Sequence, residues 1–187
     1  MYKFYVIGNP ISHSKSPLLF QNIFKLLKIK ASYKPLLIKN SRNYETFIKN
    51  IHNTNTLGFN ITMPHKILAT EYAQVIEKNA QIIQSINCVH IKNNQLIGYN
   101  NDYMGFEKMI NYNKMELKNT QNIIIGSGGT ARSIILSLLN NNAQTISILS
   151  RNQQSANKII TDFNQYKQNT ILQVFQKKRL PHHMNIH

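Results

Sequence analysis

The amino-acid sequence predicts an α/β fold, with a mixed, mostly parallel sheet in its N-terminal part and part of a doubly wound domain after it. Strand-like apolar runs alternate with segments of helical periodicity, which is typical of a parallel sheet covered by helices. The runs at residues 86–91 and 96–100 flank a tight turn and predict one antiparallel hairpin. A glycine-rich segment at 126–131 joins a β-branched strand to a helix, as at the start of a doubly wound domain.

Length and composition limit the classes of protein. At 187 residues the chain can hold one full domain, or one domain and part of a second. Its apolar runs are shorter than the roughly 20 residues that span a membrane, and its first residues have a strand pattern without a signal-peptide cleavage site. The single cysteine, Cys88, excludes an internal disulfide and predicts a buried, inert thiol. We therefore expect a cytoplasmic protein without membrane association.

The net charge of +15, from 22 basic and 7 acidic residues, raises nucleic-acid binding as an alternative. Nucleic-acid binders gather basic side chains into a stripe, often with aromatic residues between them. Here the lysines are scattered and accompany many Asn and Ile residues, a combination that an AT-rich coding sequence produces by itself. The charge therefore gives little support to a nucleic-acid partner.

Prolines and helix-capping residues divide the N-terminal part into elements. Pro17 suits the first turn of a helix, and Pro35 places its strand near a sheet edge because proline cannot donate to a ladder. Ser41 and Asp102 are predicted helix N-caps, and a short helix is predicted after Pro64. The predicted elements are a strand at 3–8, a helix at 17–27, a strand at 31–38, a helix at 41–52, a strand at 58–62, a helical stretch at 71–84, the hairpin and a helix at 103–112.

A polar segment at 111–122 marks the predicted boundary between two domains. After it we predict strands at 122–125 and 145–149 and helices at 133–140 and 155–163. From residue 167 the periodicity is lost, which predicts a disordered tail. The predicted division is a first domain at 1–103, a connecting helix and linker at 104–119, a partial second domain at 120–166 and the tail at 167–187.

The glycine-rich segment matches the G-x-G-x-x-G/A pattern in the strand–turn–helix context that the pattern requires. Glycines there permit a tight turn and the approach of a pyrophosphate, and the helix N-terminus supplies an anion site. The next strand ends without an acidic residue but with an arginine, which favours NADP over NAD. The alternatives are a glycine turn without a ligand and a surface arginine. The predicted Rossmann-type NADP(H) site comprises Gly126, Ser127, Gly128, Gly129, Thr130 and Ala131 in the turn, with Ser150, Arg151 and Asn152 after the next strand.

Three further blocks resemble one family: GNPISHSKSP at 8–17, GFNITMPHK at 58–66 and IGYNND at 97–102. With the nucleotide turn, their order and spacing closely resemble the shikimate dehydrogenase family, over roughly residues 3–163. The resemblance implies a substrate domain followed by a Rossmann domain that binds NADPH. It also implies the reversible reduction of 3-dehydroshikimate to shikimate, a step of chorismate and aromatic amino acid biosynthesis.

The resemblance implies catalytic and substrate-binding positions, and no metal site is predicted. Lys66 matches the catalytic lysine of the family, which supplies a proton and a positive charge where hydride delivery to a ketone creates alkoxide character. Asp102 matches the carboxylate that orients this lysine, a role compatible with an N-cap. The implied substrate-binding residues are Ser14 and Ser16 for the carboxylate, and Asn60, Thr62 and Asn87 for the ring hydroxyls.

The sequence departs from the family in its C-terminal part. Chains of the family are longer, and their remaining Rossmann strands, a carboxylate-binding Tyr and a helix with a substrate-binding Gln have no counterpart here. Ser150 and Asn152 stand where the family prefers Asn and Thr. We therefore expect a truncated or frameshifted member. Three functions stay open: an NADP-dependent shikimate dehydrogenase, a non-catalytic shikimate-binding module or remnant, and a quinate/shikimate dehydrogenase. A homodimer also stays open.

Overall fold

The computed structural model describes residues 1–175. The chain divides into two compact units, of which the first is Met1–Asp102 and the second begins at Tyr103. Helix α4 (Asn101–Tyr112) contains this division. Each unit has its own sheet.

The first unit is built on a six-stranded mixed sheet. Its elements are β1 (Tyr2–Gly8), α1 (Ser16–Leu26), β2 (Ala31–Leu37), α2 (Ser41–Ile51), β3 (Thr56–Ile61), a 3₁₀ turn (Leu68–Glu71), β4 (Val75–Ile76), α3 (Lys78–Ile83), β5 (Cys88–Lys92) and β6 (Gln95–Tyr99). The strand order is β2-β1-β3-β5-β6-β4. β1 is parallel to β2 and β3, and β4 to β6, whereas β5 is antiparallel to both of its neighbours. The predicted hairpin and the edge position of the strand that holds Pro35 are confirmed.

Strand β1 contributes to an apolar layer on each face of the sheet, because neighbouring strand residues point to opposite faces. On one face Val6 packs with Ile11 and Tyr33, and the partly buried Phe20 of α1 joins them. On the other face Ile7 belongs to the larger core beneath α2. The carboxyl end of β1 is thereby fixed from both sides.

The helical prediction for residues 71–84 is wrong in its first half. Val75 and Ile76 form strand β4, which completes the sheet edge beside β6. Glu77 then begins α3, because its carboxylate accepts hydrogen bonds from two first-turn amides. β-branched side chains and an N-cap within this stretch outweigh its helical periodicity.

Three other boundaries in the first unit differ from the prediction. Asn40, not Ser41, caps α2, since Asn40 Oδ1 accepts from the amide of Asn43 at 3.0 Å. The chain after Pro64 forms a turn and a 3₁₀ segment in place of a short α-helix. Helix α4 begins at Asn101, so Asp102 lies in the first turn and not at the predicted cap position.

The second unit has a parallel three-stranded sheet in the order β7-β8-β9. Its further elements are β7 (Gln121–Ile125), α5 (Gly129–Asn140), β8 (Thr145–Leu149), α6 (Gln153–Phe163) and β9 (Ile171–Val174). The central strand is the most buried, with Ile146 and Ile148 inaccessible to solvent. Parallel strands connected by helices confirm the predicted Rossmann-type arrangement.

Two predictions for the second unit are corrected. Helix α5 begins at Gly129 rather than at residue 133, so the glycine turn is shorter than predicted. Strand β9 lies inside the predicted disordered tail, where Leu172 is buried and the strand pairs with β8. The short run 171–174 has no period of its own to reveal it, and pairing with a distant strand fixes it. Residues 176–187, the rest of that tail, lie outside the described residues.

A buried ion pair joins the two helices of the second unit. Arg132 Nη2 of α5 lies 2.6 Å from Asp162 Oδ2 of α6, and the two side chains are 3% and 10% exposed. The guanidinium carbon also lies 5.4 Å from the ring centroid of Phe163. Burial alone would raise the pKa of Asp162, but hydrogen bonds and charges from Arg132 and Lys158 lower it below its ordinary value.

We expect Asp162→Asn to lower the free energy of unfolding at neutral pH by about 3–5 kcal/mol, because the variant removes the carboxylate that neutralises a buried guanidinium. Since the folded-state pKa is lowered, the ionised carboxylate stabilises the fold above the ordinary value of about 4, and this stabilisation is lost as the pH falls through the folded-state pKa. The difference between the proteins should therefore shrink below about pH 4. Urea unfolding at several pH values measures both effects.

Lys158→Ala is the matched control, because this lysine pairs with the same carboxylate but is 63% exposed. We expect it to change the stability by less than about 1 kcal/mol. Equal losses in the two variants would contradict a special contribution of the buried pair.

Candidate functional site

The seven predicted catalytic and substrate-binding residues line one cleft of about 390 Å³ in the first unit. It lies at the carboxyl ends of the parallel strands β1 and β3, which is where open α/β sheets bind ligands. The predicted residues in its lining are Ser14, Ser16, Asn60, Thr62, Lys66, Asn87 and Asp102. The sequence blocks are thus brought together by the fold.

Lys66 and Asp102 form an ion pair within this cleft. Lys66 Nζ donates to Asp102 Oδ2 at 2.7 Å, and the two side chains are only 14% and 25% exposed. The backbone of Lys66 is held as well, because its carbonyl oxygen accepts from the amide of Ile86 at 2.8 Å. A lysine held beside a carboxylate in a cleft can both transfer a proton and stabilise negative charge on a ligand.

Asn87 fixes the carboxylate from the other side. Its Nδ2 donates to Asp102 Oδ1 at 2.7 Å, and its Oδ1 accepts from the amide of Asn101 at 2.8 Å. Both oxygens of Asp102 therefore accept a hydrogen bond from within the site. The Asn87 side chain is oriented unambiguously, since an amide proton and a carboxylate lie on its two ends.

The loop after β1 carries two serine side chains to the same cleft. Ser14 Oγ accepts from the amide of Ser16 at 3.3 Å, and the amide of Ser14 donates to the carbonyl of Ile11 at 3.1 Å. Helix α1 begins at Ser16, with Pro17 in its first turn as predicted. Neutral hydroxyl groups at such a position can bind an anion without placing a second charge in the cleft.

Close backbone contact sets the position of Thr62. A Cβ atom on Gly8 would lie 2.4 Å from Cγ2 of Thr62 and 3.0 Å from the carbonyl oxygen of Met63. The amide of Thr62 donates to the carbonyl of Ile7 at 2.9 Å. The absence of a side chain at Gly8 therefore lets the end of β3 approach β1.

Several cleft residues were missed by the sequence reasoning. His13 and Phe20 line the cleft, and Tyr33 donates its hydroxyl proton to Asn60 Oδ1 at 2.8 Å from behind it. His13 directly precedes the predicted Ser14 and could have been found from that position. Tyr33 gave no signal, because its place in an alternating strand marked it only as a core residue.

The glycine turn of the second unit has the conformation that a phosphate-binding turn needs. Gly126 has φ +113°, which residues with side chains rarely adopt. A Cβ on Gly128 would meet no described atom within 4 Å, so the backbone is open to a ligand there. Ala131 is buried. Because α5 begins at Gly129, the N–H groups of its first turn have no acceptor within the helix and can bind an anion at this turn.

The other predicted cofactor residues follow β8 in the same unit. Ser150 Oγ lies 2.8 Å from Ser127 Oγ, which joins the two predicted segments, and it also accepts from the amide of Asn152 at 3.2 Å. Asn152 caps α6 through its Oδ1. The side chain of Arg151 is exposed. The nine predicted cofactor residues thus lie at the carboxyl ends of β7 and β8.

Residues 1–175 hold neither a membrane-spanning helix nor a metal-binding cluster. No helix there is long and apolar enough to cross a membrane. No group of three or more His, Cys, Asp and Glu side chains there is arranged to hold a metal ion.

A ligand cleft at the carboxyl ends of a mixed sheet, followed by a glycine turn on a parallel sheet, defines a class of α/β proteins with a substrate domain and a nucleotide-binding domain. Within that class, residues 6–89 match the model of the shikimate dehydrogenase substrate binding domain. Residues 108–181 match the model of shikimate / quinate 5-dehydrogenase. The chain belongs to the shikimate dehydrogenase family.

Individual relatives agree with this assignment. The shikimate dehydrogenase (NADP(+)) of Clostridium botulinum is 40% identical over 156 residues, which are 83% of this chain and 60% of that protein. The crystal structure of shikimate dehydrogenase from Aquifex aeolicus matches with a TM-score of 0.82 and 25% identity, over 95% of this chain and 64% of that one. A shikimate dehydrogenase solved in complex with NADP+ matches with a TM-score of 0.78 and 27% identity, over 93% and 61%. The chain thus spans about 60% of the length of the curated relative.

We expect Gly8→Ala to lower the free energy of unfolding of the first unit by about 1–3 kcal/mol, because the added methyl group overlaps Thr62 and the backbone of Met63. Gly105→Ala is the control, since a Cβ there meets no atom within 4 Å and the residue lies inside helix α4. That change should be neutral or stabilise the chain by up to about 1 kcal/mol. Urea unfolding compares them, and a Gly8→Ala protein as stable as the parent would contradict the close approach.

Proposed function

We propose that the chain carries the chemistry of an NADP-dependent shikimate dehydrogenase, the reversible reduction of 3-dehydroshikimate to shikimate. The observation that carries this proposal is the cleft itself, in which Lys66, Asp102 and the five implied substrate-binding residues lie together. The match to relatives named shikimate dehydrogenase (NADP(+)) supports it. The shikimate-binding module without turnover is the competing hypothesis, and quinate is the competing substrate.

The polar groups of the cleft suit the two ends of the proposed substrate. Ser14 and Ser16 would donate to the carboxylate, and Asn60, Thr62 and Asn87 would bind the ring oxygens. All five side chains are uncharged donors that a bound anion does not repel. Hydroxyl groups on the ligand would satisfy the polar groups that the cleft holds partly away from water, which favours a polyhydroxylated ring over an apolar one.

Lys66 is the proposed proton donor. As the ketone of the substrate becomes an alcohol, its oxygen gains negative charge, and the ammonium group would stabilise this charge and give up a proton to it. In the reverse direction the amine would take the proton from the hydroxyl. Asp102 would hold the lysine in place, since a flexible four-carbon side chain is otherwise free to leave the productive position.

The second unit fits the binding of NADP(H). The positive φ of Gly126 and the open backbone at Gly128 suit a pyrophosphate at the start of α5. Arg151 would bind the 2′-phosphate, which distinguishes NADP from NAD, while Ser127, Ser150 and Asn152 would line the site beside it. When bound, the nicotinamide would supply the hydride.

Three further predictions concern the whole protein. Cytoplasmic location agrees with the lack of a membrane-crossing helix among the described residues but stays a prediction. A homodimer also stays a prediction, as does the absence of a nucleic-acid partner despite the charge of +15. Sedimentation and a DNA-binding titration at moderate salt would address the last two.

The leading functions are separated by one pair of measurements on the purified chain. NADPH formation is followed with shikimate and with quinate, and both ligands are titrated by calorimetry. Turnover supports the dehydrogenase, and its rate with the two substrates decides between them. Shikimate binding without turnover supports the module. A folded chain that neither binds nor turns over shikimate would refute both proposals.

We expect Lys66→Ala to lower kcat by about 10²- to 10⁴-fold, because the proton donor is lost, while KM for shikimate changes far less. Steady-state NADPH formation at pH 7 to 9 measures both constants. Lys78→Ala, which changes an exposed lysine at the start of α3, should leave them unchanged. Turnover that survives in Lys66→Ala would rule out this catalytic assignment.

We expect Arg151→Ala to weaken NADPH binding by about 10-fold or more, because a charge-assisted hydrogen bond to the 2′-phosphate is lost. NADH lacks this phosphate, so its affinity should stay the same. Titration of both nucleotides measures the ratio of their dissociation constants, with Arg42→Ala of the first unit as a control for lost positive charge. An unchanged ratio would argue against Arg151 as the selectivity residue.

A further inference from the structure

Tyr33 lies behind the substrate cleft and contacts two of its lining residues. The side chain is 2% exposed, and its ring stacks on Phe20 with centroids 4.4 Å apart and planes inclined by 5°. Its hydroxyl group donates to Asn60 Oδ1 at 2.8 Å. Phe20 and Asn60 both line the cleft. Tyr33 thus reaches the cleft through other side chains.

The two ends of the Asn60 amide are held by different partners. Oδ1 accepts from the Tyr33 hydroxyl, and Nδ2 donates to the carbonyl oxygen of Asn87 at 3.4 Å. A flipped amide would place Oδ1 against that carbonyl, where two acceptors would meet without a proton between them. The bond to Asn87 is long and therefore weak. The shorter bond from the Tyr33 hydroxyl therefore contributes most to fixing the orientation of the Asn60 amide.

The Tyr33 hydroxyl is protonated over the whole range in which the protein would work. Burial raises its pKa to about 12, and a hydrogen bond with the Ser16 side chain opposes part of this rise. The hydroxyl therefore keeps a proton to donate to Asn60. It also connects Ser16, at the proposed carboxylate end of the cleft, with Asn60 at the other.

We propose that Tyr33 is a positioning residue that makes Asn60 an N–H donor towards the cleft, so that the site selects a ligand oxygen able to accept a hydrogen bond at this point. With Oδ1 directed at the Tyr33 hydroxyl and one N–H directed at the Asn87 carbonyl, the second N–H of the Asn60 amide is the donor left for a ligand. An amide able to rotate would accept either a donor or an acceptor. The ligand named in the tests, shikimate, rests on the proposed function.

The first test replaces Tyr33 by Phe, which removes the hydroxyl oxygen and keeps the ring that stacks on Phe20. We expect about 3- to 10-fold weaker binding of shikimate by calorimetry, as for one hydrogen bond lost from a preorganised site. Tyr44→Phe is the matched control, because Tyr44 is 1% exposed in the core on the other face of the sheet and does not line the cleft. This control should bind within about twofold of the parent.

A double-mutant cycle with Asn60→Ala separates positioning from a general loss of order. If Tyr33 acts through Asn60, Tyr33→Phe should weaken binding less than about twofold further in the Asn60→Ala protein. Independent losses that multiply would overturn the proposal. Asn60→Asp provides a second test of the proposal in case Tyr33→Phe does not fold. It keeps an acceptor for Tyr33 but replaces the N–H donor, so undiminished shikimate binding by this variant would also overturn it.

The side-chain amide signals of Asn60 in ¹H–¹⁵N spectra test the proposal without any ligand. They are assigned by their loss in Asn60→Ala and should shift in Tyr33→Phe but not in Tyr44→Phe. If the parent chain binds no shikimate, the proposed function fails while these signals still decide whether Tyr33 orients Asn60. Unchanged Asn60 signals in Tyr33→Phe would refute the orientation itself.

Discussion

The carboxylate of Asp102 is the group on which the cleft of the first unit depends. It accepts from Lys66, which follows β3, and from Asn87, which precedes β5, while its own backbone lies in the first turn of helix α4. Three segments far apart in the chain are thereby joined by two bonds of 2.7 Å. Charge-assisted hydrogen bonds in a partly buried setting are stronger than in water. A long, flexible lysine side chain is held in one position as a result.

The rest of the cleft is held from behind in the same way. Gly8 allows Thr62 to approach β1, and Tyr33 holds the amide of Asn60. Asn60 and Thr62 are thereby held by contacts that are partly buried. Such preorganisation lowers the entropy cost of binding and is what positions a substrate for proton transfer.

The second unit combines a local device with a tertiary one. The turn at Gly126 has a positive φ that glycine permits locally. Its orientation depends on helix α5, which is tied to α6 by the buried pair of Arg132 and Asp162 and whose Ile135 and Leu136 are buried. A buried ion pair contributes less to stability than its distance suggests, because both charges lose their hydration. It does penalise any arrangement that separates them.

By itself the sequence determined the features that short-range chemistry controls. Pro17 lies in the first turn of α1, Pro35 marked an edge strand, and Asn93 and Asn94 adopt the left-handed φ values of 50° and 61° that the predicted hairpin turn requires. The resemblance to a family selected seven residues that prove to share one cleft. Only the tertiary structure decided that Val75–Ile76 and Ile171–Val174 are strands, since neither run is long enough to show a period and each depends on a neighbouring strand for its hydrogen bonds. It alone also revealed Tyr33 as the partner of Asn60, because a buried tyrosine in an alternating strand has the pattern of a core residue, and 27 positions separate it from the amide that it orients.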